Sequence, residues 1–141
     1  GSHGIRVEAD CTIEQVDLDH AEAIVLPGGM PGTENLFASD TLKNFLQEAA
    51  KKGILMAAIC AAPIILGRLG ILIGKKATCF PGYEDQLTGA VVTGESVVVD
   101  GNFLTAKGAG VAFAFSFALV QMLKDEKTAN SLKAAMQFQK S

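Results

Sequence analysis

The chain has 141 residues, of which 49% are hydrophobic and 19% charged, and its formal net charge is −3. This length is typical of one domain with its own core, so we expect a single domain over residues 1–141. No apolar run reaches the roughly 18 residues that span a bilayer, and no extended basic cluster is present, so membrane and nucleic-acid partners are disfavoured. Three widely spaced cysteines indicate neither a disulfide framework nor a zinc site, and they favour a cytoplasmic location.

The first elements are predicted from short runs of alternating or continuous apolar residues. Residues 5–9 alternate apolar and charged side chains, which predicts a short edge or surface strand. Residues 23–26 are wholly apolar and lead into Gly28 and Gly29, a pattern typical of a buried parallel strand that closes into a loop. This glycine-rich loop is a weak sign of phosphate binding because no Gly-Lys-Ser/Thr sequence follows it.

A clear amphipathic helix is predicted after this loop. Its apolar residues recur on one face, at Leu42, Phe45, Leu46, Ala49 and Ala50. Ser39 or Asp40 can cap its start, and Gly53 suits the position after its end. Residues 54–59 then form a second short apolar run, which predicts another buried strand.

Cys60 directly follows that strand and precedes a helix that has Pro63 in its first turn and ends near Gly70. The N–H groups and the dipole of a helix N-terminus favour a thiolate, which is the nucleophilic form of cysteine. A cysteine is also often no more than a small buried apolar side chain, so two interpretations of Cys60 remain open on the residues alone. Cys11 and Cys79 have no comparable position, and a structural or incidental role is expected for both.

The second half of the chain continues the alternation of strands and helices. The predicted elements are strands over residues 90–93, 96–99 and 102–106, a buried helix over 111–123 preceded by Gly108-Ala109-Gly110, and a last helix that carries Leu132 and Met136. Asp100-Gly101 predicts a hairpin between the second and third of these strands. Strands that alternate with helices predict an α/β fold with a mostly parallel sheet.

Ligands of such sheets bind at the carboxyl ends of the strands, where both the Gly28-Gly29 loop and Cys60 are predicted to lie. The N–H groups of Gly29 and Ala61 are candidates for an oxyanion hole. A cysteine nucleophile usually needs a base as well, and here the choice is limited. His3 and His20 are the only histidines of the chain, and both precede Cys60. His20 is expected on the solvated surface, and His3 is typical either of a tag remnant or of native sequence. A triad with a downstream histidine is therefore excluded.

Two motifs, Leu26-Pro27-Gly28-Gly29 and Ala57-Ala58-Ile59-Cys60-Ala61-Ala62-Pro63, closely resemble the ThiJ/PfpI family. The resemblance extends over nearly the whole chain, through Asn35-Leu36, Phe80-Pro81 and Gly108-Ala109-Gly110. It is greatest to the branch that contains the Parkinson-disease-associated protein deglycase and its bacterial chaperone relatives.

The resemblance implies a flavodoxin-like three-layer α/β/α sandwich that forms a homodimer and needs neither cofactor nor metal. It implies that Cys60 is a reactive, easily oxidised nucleophile on a nucleophile elbow, with the N–H groups of Gly29 and Ala61 facing the sulfur or an oxyanion. The implied pocket also contains Gly28, Phe80 and Pro81, and His3 reaches it across the dimer. The implied activities are glyoxalase or protein deglycase chemistry on methylglyoxal-type aldehydes or glycated proteins, chaperone action and sensing of oxidative stress.

Three features depart from the family pattern. Ala61 stands where the protease-like branch has histidine, which disfavours peptidase activity, and Phe80 stands where some relatives have a pocket histidine. The family also has a strand, a helix and a strand before the point where this sequence starts. The glutamate that hydrogen-bonds the nucleophile lies there, and no residue of this chain matches it. We therefore expect the native form to include that segment, as part of a longer chain or as a separate N-terminal fragment.

Three hypotheses for the function follow. The first is an enzyme of the glyoxalase or deglycase type that uses Cys60. The second is a non-catalytic redox sensor or chaperone in which Cys60 is oxidised. The third, a hydrolase or amidotransferase with a related elbow, is the weakest because no histidine follows Cys60.

Overall fold

A four-stranded sheet forms the centre of the structure, a computed structural model that describes residues 3–138. The strands and helices, in chain order, are β1 (Ala23–Leu26), α1 (Gly32–Ala38), α2 (Asp40–Lys52), β2 (Leu55–Ile59), α3 (Pro63–Arg68), β3 (Lys76–Ala77), β4 (Val91–Val92), β5 (Val97–Asp100), β6 (Phe103–Ala106), α4 (Ala112–Leu123) and α5 (Glu126–Ala135). Short 3-10 turns lie at Ile13–Gln15, Leu18–His20, Glu84–Gln86 and Ala109–Val111.

The strand order in the main sheet is β1-β2-β6-β5. β1, β2 and β6 are parallel, whereas β5 pairs with β6 in the antiparallel hairpin predicted from Asp100-Gly101, with Asp100 opposite Phe103. The register of β2 on β6 places Ile59 opposite Ala106. β3 and β4 form a separate two-stranded parallel sheet. The carboxyl ends of the parallel strands β1, β2 and β6 therefore lie side by side at one edge of the main sheet.

Two apolar cores cover the two faces of the sheet. Successive side chains of a strand point to opposite faces, and in β2 Ala58 belongs to one core while Ala57 belongs to the other. The first core contains Leu46 of α2 and Ile65 of α3, and the second contains Phe115 of α4. This arrangement is the three-layer α/β/α sandwich expected from the sequence.

Local signals correctly predict helix α2 and its boundaries. The hydroxyl of Ser39 accepts a hydrogen bond from the N–H of Leu42, and Gly53 follows the last turn in a left-handed conformation. Among the apolar residues of the predicted face, Leu42, Leu46 and Ala49 are buried.

Two predicted features are wrong, and one helix was not predicted. Residues 5–9 form no strand in the described structure, because a strand needs a paired neighbour and neither sheet provides one for this segment. The α4 helix is only partly buried, since its apolar residues surround the helix while the sheet covers one side, and Phe113 is 56% exposed. Helix α1 follows the glycine-rich loop where only a loop was expected. Within residues 3–138, no helix has the length and apolar character needed to cross a membrane.

Candidate active site

Cys60 occupies a sharp turn between the end of β2 and the start of α3. Its φ of 65° lies in the left-handed region, which is uncommon for a residue with a side chain and costs about 1–3 kcal/mol. Two hydrogen bonds hold this conformation: the N–H of Cys60 donates to the carbonyl of Ala106 at 2.8 Å, and its carbonyl accepts from the N–H of Phe80 at 2.8 Å. The turn is thus fixed by the end of β6 on one side and by the segment around Phe80 on the other.

Gly28 allows the loop after β1 to lie directly against this turn. A Cβ atom at position 28 would lie 2.4 Å from the Cβ of Cys60 and 2.6 Å from the carbonyl oxygen of Ile59. Real Cβ atoms do not approach other atoms so closely, so only glycine fits at this position.

Gly29, the next residue, has a φ of 93° that favours glycine, and its carbonyl points into α1. That carbonyl accepts hydrogen bonds from both the N–H and the hydroxyl of Thr33, each at 2.9 Å. Within residues 3–138, the N–H groups of Gly29 and Ala61 donate to no acceptor; Ala61 is only 3% exposed, whereas Gly29 is exposed. Amide N–H groups without a partner at a buried position are suited to bind an oxygen of a ligand.

A cavity of about 180 Å³ opens beside Cys60. Its lining residues are Gly29, Met30, Cys60, Ala61, Phe80 and Tyr83. Sequence reasoning proposed four of these for the site and missed Met30 and Tyr83. The rings of Phe80 and Tyr83 are tilted against each other with centroids 6.3 Å apart, so the i, i+3 spacing of two aromatic residues after Cys79 was the available signal for Tyr83.

The remaining predicted site residues lie elsewhere. Gly28 packs behind the turn, and Pro81 is not among the residues that line the cavity. His3 is exposed, and its contact across a dimer stays a prediction. His20 lies on an exposed 3-10 turn with its Nδ1 2.8 Å from a carboxylate oxygen of Asp17, in agreement with the expected surface position.

The three cysteines have different surroundings, and all are free thiols. Cys11 is exposed, Cys60 is half-buried beside the cavity and Cys79 is buried. Burial raises the pKa of the Cys79 thiol to about 11, with a smaller contribution from the nearby carboxylate of Glu84. Cys79 therefore stays protonated at neutral pH, which agrees with the structural role expected for it.

The cavity contains few groups that can transfer protons. None of its six lining residues has a carboxylate, an imidazole or an amine, and Tyr83 supplies the single hydroxyl group. In the described part of the chain, no three His, Cys, Asp or Glu residues cluster as metal ligands would. The residues that line the cavity therefore carry a thiol (Cys60), a phenol (Tyr83) and the two N–H groups of Gly29 and Ala61 that have no acceptor.

A larger cavity of about 470 Å³ lies on the other side of Gly28. Its walls are mostly apolar and include Ile13, Leu36 and Leu42, and no titratable side chain lines it. The smaller cavity is the better candidate for chemistry because the thiol of Cys60 lines it.

Comparison with known proteins identifies the family. The model of the DJ-1/PfpI family matches residues 1–122. Protein DJ-1 homolog A of Arabidopsis thaliana is 35% identical over 137 residues, which are 95% of this chain and 35% of that protein. Deglycase PfpI of Pyrococcus furiosus is 33% identical over 126 residues, which are 88% of this chain and 75% of that protein.

Comparison with solved structures points to the same family. The structure of oxidized Toxoplasma gondii DJ-1 superimposes with a TM-score of 0.91 at 32% identity, covering 99% of this chain and 76% of the other. The chain belongs to the DJ-1/PfpI family, as its two motifs indicated. It spans about a third of the length of the Arabidopsis relative.

Proposed function

We propose that this protein is a cofactor-independent glyoxalase or protein deglycase that uses Cys60 to attack methylglyoxal-type aldehydes or their adducts on proteins. The observation that carries the proposal is the position of Cys60, half-buried on a strained turn beside a small cavity with two unpaired N–H groups. Relatives named as deglycases, including the one from Pyrococcus furiosus, support the same class of activity.

In the first step, the Cys60 thiolate adds to the aldehyde carbon. A carbon–sulfur bond forms, and the carbonyl π electrons move to oxygen to give a hemithioacetal oxyanion. The N–H groups of Gly29 and Ala61 are suited to hydrogen-bond this oxyanion, and removal of one such donor typically costs about 10²–10³-fold in rate. The oxyanion oxygen then takes up a proton from the solvent, which neutralises its charge and gives the hemithioacetal hydroxyl.

The next steps convert the adduct to a hydroxy acid. The proton on the former aldehyde carbon moves to the neighbouring ketone carbon, and the hydroxyl proton of the hemithioacetal moves to the ketone oxygen, so the carbon bonded to sulfur becomes a thioester carbonyl. Water then cleaves the carbon–sulfur bond and releases the thiol and the acid. The net reaction adds one water to methylglyoxal and needs no oxidant or reductant.

These proton transfers need an acid and a base, and Tyr83 is the one other titratable residue that lines the cavity. We propose that a carboxylate on a further segment of the same protein completes the site. We also propose that the protein is a homodimer in which His3 of the second protomer approaches the cavity. The free thiols of all three cysteines favour a reducing compartment such as the cytoplasm.

The test is turnover of methylglyoxal by the wild-type chain and by the Cys60→Ala variant, with Cys11→Ser as the matched control because its thiol is exposed and far from the cavity in sequence. For the chain without the further segment, we expect slow lactate formation by wild type and Cys11→Ser and none by Cys60→Ala. Equal rates in all three proteins would refute the proposal. Repeating the assay with a full-length form tests whether a further segment raises the rate.

A second candidate function is a redox sensor or chaperone, favoured by the absence of a carboxylate or imidazole among the six residues that line the cavity. Peroxide would oxidise the Cys60 thiolate to a sulfenate and, with a second equivalent, to a sulfinate, releasing one water each time. If neither wild type nor Cys60→Ala consumes methylglyoxal, and peroxide adds oxygen to Cys60 and spares Cys79, the sensor function is supported over the enzyme.

A further inference from the structure

Arg68, in the last turn of α3, connects three separate parts of the chain through one guanidinium group. Its two terminal nitrogens donate to the two carboxylate oxygens of Glu34 in α1, at 2.9 and 2.8 Å. Its Nε donates to the side-chain oxygen of Gln86, in the 3-10 turn Glu84–Gln86, at 2.9 Å. The paired contact with the carboxylate has the bidentate geometry that makes arginine ion pairs strong and directional.

Each of these three parts directly follows a wall of the Cys60 cavity. Helix α1 follows Gly29 and Met30, and helix α3 follows Cys60 and Ala61. The 3-10 turn containing Gln86 follows Phe80 and Tyr83. All six residues that line the cavity thus belong to segments whose next helical element is held by Arg68.

The surroundings of Arg68 make the connection rigid. A Cβ atom on the preceding residue, Gly67, would lie 2.4 Å from the carbonyl oxygen of Gln86 and 2.7 Å from the Cα of Leu87, so the two backbones are in direct contact. The guanidinium also lies over the ring of Phe37, with its central carbon 4.8 Å from the ring centroid. The Arg68 side chain is 25% exposed and that of Glu34 is 47% exposed, so the paired hydrogen bonds, rather than exclusion of water, make this contact directional.

We propose that Arg68 is a positioning residue that fixes the width of the Cys60 cavity by holding its three walls together. Arg68 itself is not among the residues that line the cavity, so it acts through the elements that it joins. The inference rests on the proposed function only in taking Cys60 as the reactive group. Lysine keeps the charge but has no planar group that can serve both Glu34 and Gln86, so it is not an adequate replacement.

The experiment measures access to Cys60 with two reagents of different size. Iodoacetamide and the bulkier N-benzylmaleimide are reacted with the intact chain carrying Cys11→Ser, and modification of Cys60 is followed by peptide mass spectrometry. The variants are Arg68→Met, Arg68→Lys and Glu34→Gln. We expect the ratio of the maleimide rate to the iodoacetamide rate to rise about tenfold or more in Arg68→Met and Arg68→Lys, because the walls separate. A smaller rise is expected in Glu34→Gln.

The matched control is Asp125→Ala, which removes the side-chain cap of α5 and destabilises the protein away from the cavity. A purely structural role of Arg68 predicts a lower Tm with an unchanged rate ratio, as in this control, and that result would overturn the proposal. If Arg68→Met does not fold, Arg68→Lys and Glu34→Gln decide the question, since both preserve the size of the side chain.

Methylglyoxal turnover, measured in parallel, separates this proposal from the proposed function. A wild type without turnover, together with a raised rate ratio in the Arg68 variants, refutes the enzyme and supports the positioning role. An active wild type with the same rate ratio as Arg68→Met refutes the positioning role and supports the enzyme. If both proposals hold, Arg68→Met lowers kcat/KM by roughly tenfold to a hundredfold, the effect expected of a small misplacement of reacting groups.

Discussion

Gly28 and Cys60 are in van der Waals contact across two different strand ends, and a methyl group on Gly28 would lie 2.4 Å from the Cβ of Cys60. The loop after β1 and the turn after β2 therefore touch through backbone and Cβ atoms alone. This contact places Gly29 at the same cavity as the thiol.

The Gly28→Ala substitution is expected to displace one of these two segments. Overpacking of this kind typically costs about 1–3 kcal/mol, and here the nearest atoms belong to the strained turn itself. We expect a lower free energy of unfolding in urea and slower alkylation of Cys60. Gly32→Ala is the matched control, because a Cβ there meets no atom within 4 Å. Equal effects of the two substitutions would contradict the close contact.

Cys79 gives the protein a specific sensitivity to alkaline pH. Burial raises the pKa of this thiol from its ordinary 9.0 to about 11, so the folded state favours the protonated form. A raised pKa contributes stability that is complete below pH 9 and is lost as the pH rises through 11. The difference between a pKa of 9.0 and one of about 11 corresponds to roughly 2–3 kcal/mol of stability.

Urea unfolding of wild type and Cys79→Ala at pH 8 and pH 11 measures this contribution. Wild type should lose more stability than the variant over this interval, since lysines and other groups titrate equally in both proteins. Identical losses in the two proteins would show that Cys79 keeps its ordinary titration.

Glu34 gives the opposite dependence at acidic pH. The hydrogen bonds from Arg68 hold the pKa of Glu34 below its ordinary 4.5. A lowered pKa contributes stability that is present above pH 4.5 and is lost as the pH falls through the lowered value. The difference in unfolding free energy between wild type and Glu34→Gln should therefore be larger at pH 7 than at pH 3. A constant difference would mean that the carboxylate charge does not stabilise the contact with Arg68.

The left-handed backbone of Cys60 predicts an unusual order of stability among its variants. Alanine at this position keeps the steric strain of a Cβ atom at φ 65°, whereas glycine removes it. We expect Cys60→Gly to be more stable than Cys60→Ala by about 0.5–1 kcal/mol, after the greater backbone entropy of unfolded glycine is subtracted. The same pair of variants at Cys79, where φ is not positive, should show the reverse order in thermal unfolding.

Elements with strong local signals could be predicted from the sequence. Helix α2 was found from its apolar face and caps, and the β5–β6 hairpin from Asp100-Gly101. Helix α1 was missed because it has only seven residues and follows a glycine-rich loop, so it shows little periodicity. Residues 5–9 have the alternation of a strand, but alternation does not supply a pairing partner.

The residues of the candidate site also fall into two groups, those with a local sequence signal and those brought in by tertiary packing. The motif around Cys60 and the Gly28-Gly29 loop can be recognised locally, since each follows a buried strand. Arg68 could not be assigned from the sequence, and the spacing from Phe80 was the one local signal for Tyr83. Tyr83 joins the cavity only when its segment packs beside the turn, and Arg68 reaches a carboxylate 34 positions earlier in the chain. Such contacts depend on tertiary packing rather than on local pattern.

The hydrogen bond from the Cys60 N–H to the Ala106 carbonyl has a consequence for the synthesis of the protein. A ribosome completes the sequence up to Cys60 well before it adds Ala106, and the turn lacks this support in the interval. A nascent chain that ends before β6 therefore carries the thiol on a turn that lacks this hydrogen bond. Only after β6 has left the exit tunnel and paired with β2 can the N–H of Cys60 reach its acceptor.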